Sequence, residues 1–379
     1  MEKIRVGLMW SSGLDNDYSI REIADLNRQV GHNTGNVAFV HAIRKLVGPI
    51  TATVDWSSSA VSDVDVLVFP GANQIGSHTN LGELANNLLR RGKPIVAIGI
   101  GAQSKSFNED PLISDGTRQF LTALTQLSPN SNSNIWTRGE YSASQVTKNC
   151  PMANPVAGCC PSLFINLDKN LGLRLSSKPK IFRRIAVAGG NPGFKQLRLL
   201  ERDLVQLVDS SANPGCYITQ SMLDMIQLGI DSRNQIGEAI LNNYREFLLP
   251  NVTNSQFIEW CRSYVRSYFD ATSWMFELSR YDVVVGARYH GVALGIQAGV
   301  PGIIFEIDSR TSELGKSSGI PTVSPSDYDY LNRRTLENIW SKFDPDKFDD
   351  DRVMQARRFF SFLINNGLEP SDHLKSLVD

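Results

Sequence analysis

The chain has 379 residues, of which 41% are hydrophobic and 20% charged, and these near-average proportions exclude a disordered or fibrous protein. The 38 basic and 39 acidic residues give a net charge of −1, which argues against a general nucleic-acid binder. No apolar run approaches the ~18 residues that span a bilayer, and no signal-peptide segment opens the chain. We therefore expect a soluble, cytoplasmic protein without a transmembrane segment. At roughly 100–200 residues per domain, the length predicts two domains.

Short apolar runs alternate with helical patterns along the first half, which is typical of parallel α/β proteins. The pattern predicts, in chain order, a strand at 4–9, a helix at 36–47, a strand at 65–69, a helix at 80–91, a strand at 94–100, a helix at 114–127, a strand at 135–136 and a helix opening near Ser142. Between Ala157 and Pro179, Gly, Pro, Lys and Ser accumulate without periodicity. We place the domain boundary there, with a first domain at 1–172 on the acceptor side and a second at 173–379.

The alternation restarts after this break. It predicts a strand at 183–190, a helix at 197–209, a strand at 216–221, helices at 233–247, 253–268 and 272–280, a strand at 281–287, a helix at 291–298, a strand at 301–307 and tail helices at 335–343 and 350–366. The aromatic stretch at 264–276 is interpreted as helix core rather than as a platform for sugars. Ligands of such a fold bind near the carboxyl ends of the strands, so we expect the site in a cleft between the domains.

The cysteines and histidines do not form a metal-binding pattern. There are five cysteines, an odd number, and none has C-x-x-C spacing, so neither a zinc ribbon nor a disulfide framework is predicted. The neighbours Cys159 and Cys160 are interpreted as reduced structural thiols. The five histidines are scattered and form no paired motif, so we predict no metal site.

The sharpest motif is GARYHGVALGIQAGVP at residues 286–301. A strand-like run ends at Gly286 and a helical pattern follows His290-Gly291, and the glycines allow a tight turn between the two elements. The helix N-terminus offers free N–H groups that suit an anion, and Arg288 adds a fork for carboxylate or phosphate. His290 is able to carry a proton near neutral pH. The motif predicts an anion site beside a proton donor; the alternative is that Arg288 and His290 only hold a loop.

This motif resembles the signature of the polysaccharide pyruvyl transferases, in which G-x-R-x-H-G follows a strand and leads into a small-residue helix and A-G-V-P. Further segments resemble that family in the expected order: the loop at 33–36, the turn at 70–74, the strand and loop at 92–104, and TRGEYSA at 137–143 with its arginine Arg138. The resemblance covers roughly residues 30–320. It combines one strong motif with several weaker ones.

The resemblance implies an α/β fold of two Rossmann-like domains that face each other across a cleft, GT-B-like, with C-terminal helices packing back. Members of the family serve polysaccharide biosynthesis by moving the enolpyruvyl unit of phosphoenolpyruvate onto two sugar hydroxyls. The product is a pyruvate ketal and phosphate is released. The resemblance therefore implies a transferase with phosphoenolpyruvate as donor, a sugar or glycan as acceptor, and no separate cofactor or metal. The acceptor sugar and the oligomer state stay open.

The resemblance also assigns residues. It makes His290 the general acid and Arg288 and Arg138 the donor-binding arginines, with Gly291 in the same donor-side turn. The chemistry suits these residue types, because the donor carries two anionic groups and protonating its methylene carbon requires a positioned acid.

Two segments depart from the family pattern. The turn at 70–74 has one glycine where many members have three, so Asn73 and Gln74 either donate hydrogen bonds to a ligand or form an Asx turn. Near 306–321 many members carry a lysine, whereas this chain has Arg310. Arg310 either serves as a third anion anchor or pairs with Glu313.

Further ligand contacts and further functions are left open at this point. Asn33 and Asn36 are candidates for acceptor or loop contacts. A second hypothesis is a GT-B-like glycosyltransferase that uses a nucleotide sugar, with Glu306 as the candidate for holding a ribose. A third is a non-catalytic protein that binds a sugar or phosphate in the same cleft.

Overall fold

Two parallel sheets of six strands each organise the part of the chain that the structure describes. The structure, a computed structural model, describes residues 4–10, 22–56, 63–130, 133–179, 181–191, 194–209, 214–230, 236–327 and 331–379. Each sheet is built from one continuous part of the sequence, since the strands of the first all precede those of the second.

The central strands of the first sheet are apolar and fully buried, as expected when helices cover both faces. Its strands are β1 (Val6–Met9), β2 (Ile50–Val54), β3 (Val66–Pro70), β4 (Ile95–Ile100), β5 (Ile135–Thr137) and β6 (Val156–Ala157). They lie in the order β2-β1-β3-β4-β5-β6 and all neighbours are parallel. The helices of this half are α1 (Ile23–Gln29), α2 (Asn36–Leu46), α3 (Gly82–Arg91), α4 (Asp115–Gln126), α5 (Glu140–Asn149) and α6 (Leu171–Ser176).

The second sheet repeats this plan. Its strands are β7 (Ile185–Ala188), β8 (Cys216–Ile218), β9 (Val265–Arg266), β10 (Val283–Gly286), β11 (Gly302–Phe305) and β12 (Thr322–Val323). They lie in the order β12-β11-β10-β7-β8-β9, again all parallel. Its helices are α7 (Arg198–Asp209), α8 (Leu223–Gly229), α9 (Glu238–Leu248), α10 (Asn254–Tyr264), α11 (Ala271–Leu278), α12 (Tyr289–Gln297) and α13 (Ser309–Ser318).

Three tail helices follow, α14 (Arg333–Trp340), α15 (Pro345–Asn365) and α16 (Asp372–Val378). On α15, the ring of Phe359 packs 5.1 Å from that of Trp136 in the first sheet. Arg352 of the same helix is buried and donates to the carbonyls of Leu163 and Asp168 at 2.9 and 2.8 Å. Helices α15 and α16 therefore pack back on the first half of the chain, as predicted, whereas α14 packs on β11 of the second sheet.

Local signals in the sequence explain where several helices begin and end. Ser114 caps α4 by accepting from the Thr117 N–H, and Thr253 and Gln256 form a reciprocal capping box on α10. Helix α3 ends at Gly92, whose φ of +60° is a backbone conformation that glycine adopts without strain. Such caps satisfy backbone groups that a helix end leaves unpaired.

The predicted α/β class is confirmed, since the described residues form two parallel six-stranded sheets with helices, each of Rossmann-like plan. The GT-B-like arrangement of two domains stays a prediction. The helix expected at 253–268 ends at Tyr264, and the next two residues form the edge strand β9. Strand β2 and helix α8 were not predicted. The helix expected at 233–247 begins at Glu238, and the predicted residues 233–235 lie outside the described ranges. The predicted domain boundary after residue 172 falls inside α6 and stays a prediction.

Two general properties concern the described ranges as a whole. Within them, no helix combines the length and apolar character needed to cross a membrane. The five cysteines are buried and free, in agreement with the predicted reduced thiols.

The strand orders determine where a ligand is able to bind. In the first sheet the order reverses between β1 and β3, and in the second between β7 and β10. Crevices at the carboxyl ends of strands beside such reversals are the usual ligand sites of open α/β sheets. The carboxyl ends of β1 and β3 and those of β7 and β10 are therefore where a ligand is expected to bind.

Candidate functional site

A narrow cavity of about 20 Å³ lies where the two halves of the chain meet. Its lining comes from both: Asn33, Arg138, Gln220, Arg288, Tyr289, His290, Arg310 and Leu314. The structure thus brings together five residues that the sequence singled out, Asn33, Arg138, Arg288, His290 and Arg310. Two of them come from loops of the first half and three from the second.

The turn between β10 and α12 positions Arg288 and His290. At Gly286, φ is +155° and an added Cβ would lie 2.1 Å from the carbonyl oxygen of Ala188 on the neighbouring strand, so a side chain does not fit there. Arg288 is the N-cap residue of α12, and the helix begins at Tyr289. Both Arg288 and His290 consequently line the cavity at the N-terminal end of α12, where the helix dipole favours an anion.

Arg288 is half-buried and donates from Nη2 to the hydroxyl of Ser221 at 2.6 Å. Burial and the nearby Arg310 lower its pKa to about 10, while the buried carboxylate of Glu201 opposes the shift. A guanidinium with a pKa of about 10 is protonated at neutral pH. Arg288 therefore brings a full positive charge to the cavity.

Arg138 follows β5 and is buried. It donates from Nε to the carbonyl of Gly99 at 2.9 Å, from Nη1 to Oδ1 of Asn73 at 2.9 Å and from Nη2 to the carbonyl of Gly71 at 3.3 Å. The guanidinium carbon lies 5.6 Å from the centre of the Phe39 ring. A guanidinium has five N–H groups, so these bonds orient Arg138 and leave donors for a ligand.

Arg310 lies near Asp308, with Nη2 3.5 Å from Oδ2. Its Nε is buried and has no hydrogen-bond partner among the described residues. The alternative pairing with Glu313 is not what the structure shows. Glu313 instead accepts from the backbone N–H and the hydroxyl of Ser142, at 2.7 and 2.5 Å, across the junction of the two halves.

His290 is 9% exposed and packs between two aromatic rings, with centroids 5.4 Å from Phe39 and 5.3 Å from Tyr289. Its Nε2 lies 3.5 Å from Sγ of Cys160. Burial, and then the positive charges of Arg138, Arg310 and Arg288, lower its pKa well below 6.5. In the absence of an anion, His290 is therefore neutral at pH 7.

The other predicted polar residues have different surroundings. Asn33 lines the cavity, and its Oδ1 accepts from the Gly35 N–H at 3.1 Å. Asn36 donates to the carbonyl of Val30 at 2.9 Å and so closes a turn outside the cavity lining. Gln74 accepts from the backbone N–H of Ala72, again within its own turn.

Asn73 belongs to a chain of polar contacts that connects the two halves. Its Oδ1 accepts from Arg138, and its Nδ2 donates to Oε1 of Gln103 at 3.1 Å. Nε2 of Gln103 donates to Oδ2 of Asp308 at 2.9 Å, and the same carboxylate faces Arg310. The two arginines on opposite walls of the cavity are thus linked by an unbroken polar chain.

Gly291 lies outside the cavity lining, one residue after His290. An added Cβ there would lie 2.7 Å from Cβ of Ala188 and 2.9 Å from Nε2 of Gln220. The glycine therefore allows α12 to approach β7 and the loop after β8. Its role is spatial in this structure, and donor contact stays a prediction.

Three residues near the site were not selected from the sequence: Cys160, Gln220 and Glu201. Gln220 lines the cavity two residues after β8, a strand end that the alternation of elements had already marked. Glu201 on α7 is buried and accepts from the Gly190 N–H and the Tyr217 hydroxyl, both at 2.7 Å. Burial raises its pKa to about 6. The sequence indicated no site role for Glu201, and it indicated only a structural thiol at Cys160, whose contact with His290 spans 130 residues.

The groups that line the cavity favour the binding of an anion. Three guanidinium groups, a helix N-terminus and a neutral imidazole surround one small space. Across the described ranges, no group of three or more His, Cys, Asp and Glu side chains is placed to hold a metal ion. Such an arrangement suits a compact ligand with carboxylate or phosphate oxygens and offers a nitrogen that is able to exchange a proton.

Comparison with known proteins gives one family. The model of the family described as polysaccharide pyruvyl transferase matches residues 15–309. No curated protein sequence matches significantly.

Several solved structures are similar over nearly the whole chain. UDP-N-acetylglucosamine 2-epimerase from Rickettsia bellii shares 10% identity, with 96% of each chain covered and a TM-score of 0.44. The S. aureus MnaA-UDP co-structure shares 8% identity, covering 98% of this chain and 100% of that one, with a TM-score of 0.48. Phytolacca americana UGT2 complexed with UDP-2fluoro-glucose and pterostilbene shares 10%, covering 96% and 95%, with a TM-score of 0.36. At such low identity these likenesses say nothing of function.

Proposed function

The chain belongs to the polysaccharide pyruvyl transferase family, and from this premise we propose that it transfers the enolpyruvyl unit of phosphoenolpyruvate onto two hydroxyls of a sugar or glycan. The observation that carries the proposal is the convergence of Arg138, Arg288 and Arg310 around His290. A donor with one carboxylate and one phosphate requires several cationic anchors. It also requires an acid close to its methylene carbon.

The proposed reaction begins with a proton delivered to the methylene carbon of the donor, which develops an oxocarbenium at C2. One sugar hydroxyl adds to C2 and the C2–O bond to phosphate breaks. The neighbouring hydroxyl then adds to C2 and closes the ketal. The two sugar hydroxyls lose two protons in total. One replaces the proton delivered to the methylene carbon, and the other leaves with the phosphate.

The arginines have distinct tasks in this scheme. Arg138 donates to three acceptors of the first half and keeps further N–H groups for a ligand. Arg288 is positively charged and is oriented by its hydrogen bond to Ser221. Arg310 has an unused buried Nε. Together they would bind the trianionic donor and stabilise the charge on departing phosphate.

His290 is proposed as the group that moves protons. It is neutral without ligand because burial and the three arginines lower its pKa. A bound anion offsets the arginine charges and so raises the pKa of the imidazole. The imidazolium would then donate its proton to the methylene carbon, and the neutral ring would next accept a proton from the sugar hydroxyl.

The donor needs more room than the cavity offers. A volume of about 20 Å³ accommodates roughly one water molecule. Since the cavity walls belong to both halves of the chain, substrate entry requires their separation or a movement of the arginine side chains. The proposal therefore includes an open state that admits the donor and a closed state that excludes water.

Binding of phosphoenolpyruvate, measured by calorimetry and thermal shift, tests the proposal. Wild-type protein should bind it, Arg288→Ala should lose at least about tenfold in affinity, and the exposed Arg118→Ala should behave like wild type. A sugar acceptor should then give phosphate release that His290→Gln lowers mainly through kcat.

Other ligand responses would contradict the proposal. Stabilisation by UDP or GDP without any response to phosphoenolpyruvate would indicate glycosyl transfer from a nucleotide sugar. Binding without turnover on any acceptor would indicate a non-catalytic receptor.

A further inference from the structure

The side chain of Gln220 is a buried amide with an unused donor. The residue is 2% exposed, and its Nε2 has no hydrogen-bond partner in the described part of the chain. It lies in the loop after β8 and lines the cavity beside the three arginines. Because buried N–H groups are nearly always paired, an unpaired one in a ligand cavity needs an explanation.

The position of this amide is determined by its neighbours. An added Cβ at Gly35 would lie 2.6 Å from Oε1 of Gln220, and one at Gly291 would lie 2.9 Å from Nε2. The backbone carbonyl of Gln220 accepts from the N–H of Thr34 at 2.7 Å, which ties the loop to the opposite half. The amide is thus confined between two glycines and held at the junction of the two halves.

The surrounding charge determines what the amide is able to bind. Ser221, the next residue, accepts from Arg288, so the amide and that guanidinium reach the cavity from adjoining positions. A ligand held by Arg288, Arg138 and Arg310 presents anionic oxygens there. A neutral amide donates to such an oxygen without adding a fourth positive charge beside His290, whose pKa the arginines already lower.

We propose that the side-chain amide of Gln220 donates a hydrogen bond to an anionic oxygen of the donor, carboxylate or phosphate, and so positions it against Arg288. This inference rests on the proposed function for the identity of the donor. Gln220 is then a substrate-binding residue that acts on donor affinity rather than on proton transfer.

The test compares Gln220→Met, which keeps the length of the side chain and removes the donor, with Gln297→Met as the matched control. Gln297 is 3% exposed and also has an unpartnered Nε2, but it lies at the far end of α12. Its Oε1 accepts from Asn166 at 2.8 Å, so the control loses a buried amide with a structural role. Thermal melting identifies variants that fail to fold, and Gln220→Glu supplies a second variant of nearly unchanged shape.

Calorimetry with phosphoenolpyruvate, inorganic phosphate and pyruvate provides the readout. We expect Gln220→Met to weaken phosphoenolpyruvate binding by about tenfold or more, since a hydrogen bond to a charged group is lost. Gln220→Glu should weaken it further by repulsion, and Gln297→Met should leave it unchanged. If Gln220→Met weakens binding of phosphoenolpyruvate and inorganic phosphate but not of pyruvate, the amide contacts the phosphate end of the donor. If it weakens binding of phosphoenolpyruvate and pyruvate but not of inorganic phosphate, the amide contacts the carboxylate end.

The outcomes separate this inference from the proposed function. Normal phosphoenolpyruvate affinity in Gln220→Met and Gln220→Glu would overturn the role of Gln220 and leave the function standing. If wild type does not bind phosphoenolpyruvate but binds phosphate in a way that depends on Gln220, phosphoenolpyruvate is not the donor, while the Gln220 amide still binds an anion. Failure to bind any of the three anions would overturn both.

Discussion

The Sγ atom of Cys160 lies 3.5 Å from Nε2 of His290, one of the residues that line the cavity. The hydroxyl of Ser162 donates to the same sulfur at 3.1 Å. Burial raises the pKa of the Cys160 thiol above 9, so the thiol is protonated at neutral pH. We therefore propose that Cys160 orients the imidazole of His290 for the proposed proton transfer.

Removal of the thiol should therefore impair turnover more than binding. We expect Cys160→Ala to lower kcat by about tenfold, because the imidazole then lacks the contact at Nε2 that orients it relative to the donor carbon. The KM for the donor should change little, since the arginines are untouched. Cys160→Ser should restore part of the rate by offering a hydroxyl to Nε2.

Cys159→Ala is the matched control for Cys160→Ala. Cys159 is the adjacent, equally buried thiol, so its loss reproduces the packing defect. Unchanged kcat in Cys160→Ala, or equal losses in Cys159→Ala and Cys160→Ala, would show that Cys160 only fills space. The dependence of kcat on pH distinguishes the two roles, because a positioning residue shifts the pH midpoint that His290 sets and a space-filling residue does not.

Donor binding should be accompanied by proton uptake. The pKa of His290 is well below 6.5 without ligand, and an anion among the arginines raises it, so the complex holds more protons than the free protein. By linkage, donor affinity then falls as pH rises through the pKa of the complex, by up to about tenfold per pH unit. Calorimetry in buffers of different ionisation enthalpy measures the uptake.

His290→Gln is the reference for this experiment, because phosphate has a pKa of about 6 and exchanges protons itself. We expect the wild type to take up more protons than His290→Gln near pH 7. Equal proton counts in the two proteins would mean that His290 stays neutral in the complex and is not the acid.

The sequence was sufficient to locate the centre of the site. In GARYHG, a buried strand, two glycines and a helix start are local features, and these alone predict that Arg288 and His290 share one strand end, as they do. Arg138 was placed by resemblance, and it reaches the same cavity from the other sheet. The roles of these residues stay predictions.

Contacts that depend on distant segments were not predictable in this way. Cys160 lies 130 residues before His290, and nothing in its own neighbourhood indicates an imidazole partner. Glu313 sits three residues from Arg310 in sequence, yet its carboxylate bonds to Ser142, 171 residues away. In the same way, Val265 and Arg266 continue a helical pattern, but pairing with β8 draws them into the edge strand β9.

The polar chain across the cavity should affect donor affinity. Gln103 bonds to Asn73 on one side and to Asp308 on the other, and it thereby connects the surroundings of Arg138 and Arg310. Without it, the two arginines lose their common alignment. We expect Gln103→Ala to raise the donor KM by about threefold to tenfold, the worth of roughly one hydrogen bond.

Gln119 is an exposed residue on α4, and the variant Gln119→Ala is the control, which should have the same donor KM as wild type. A double variant with Arg310→Ala extends the test. If Gln103 acts through Arg310, the combined loss is smaller than the product of the separate losses. Strictly multiplicative losses would mean that Gln103 affects the donor by another route.

Glu201 should give the folding stability a measurable pH dependence. Its pKa is raised from 4.5 to about 6, first by burial, against the hydrogen bonds from Tyr217 and the Gly190 N–H. Between these pH values the folded protein binds more protons at this site than the unfolded chain, so the free energy of unfolding falls as pH rises. A pKa shift of this size corresponds to a loss of about 2 kcal/mol in the free energy of unfolding, and this loss is complete once the pH exceeds the pKa of Glu201 in the folded protein.

Replacement of this carboxyl by an amide isolates its contribution. The amide in Glu201→Gln cannot titrate. The difference in free energy of unfolding, Glu201→Gln minus wild type, should therefore increase by about 2 kcal/mol between pH 4.5 and 7 and stay constant at higher pH. Urea unfolding of both proteins across that range measures the difference, and Glu109→Gln on the surface is the control. Parallel curves for Glu201→Gln and wild type would mean that the Glu201 carboxyl ionises in the folded protein as easily as in the unfolded chain.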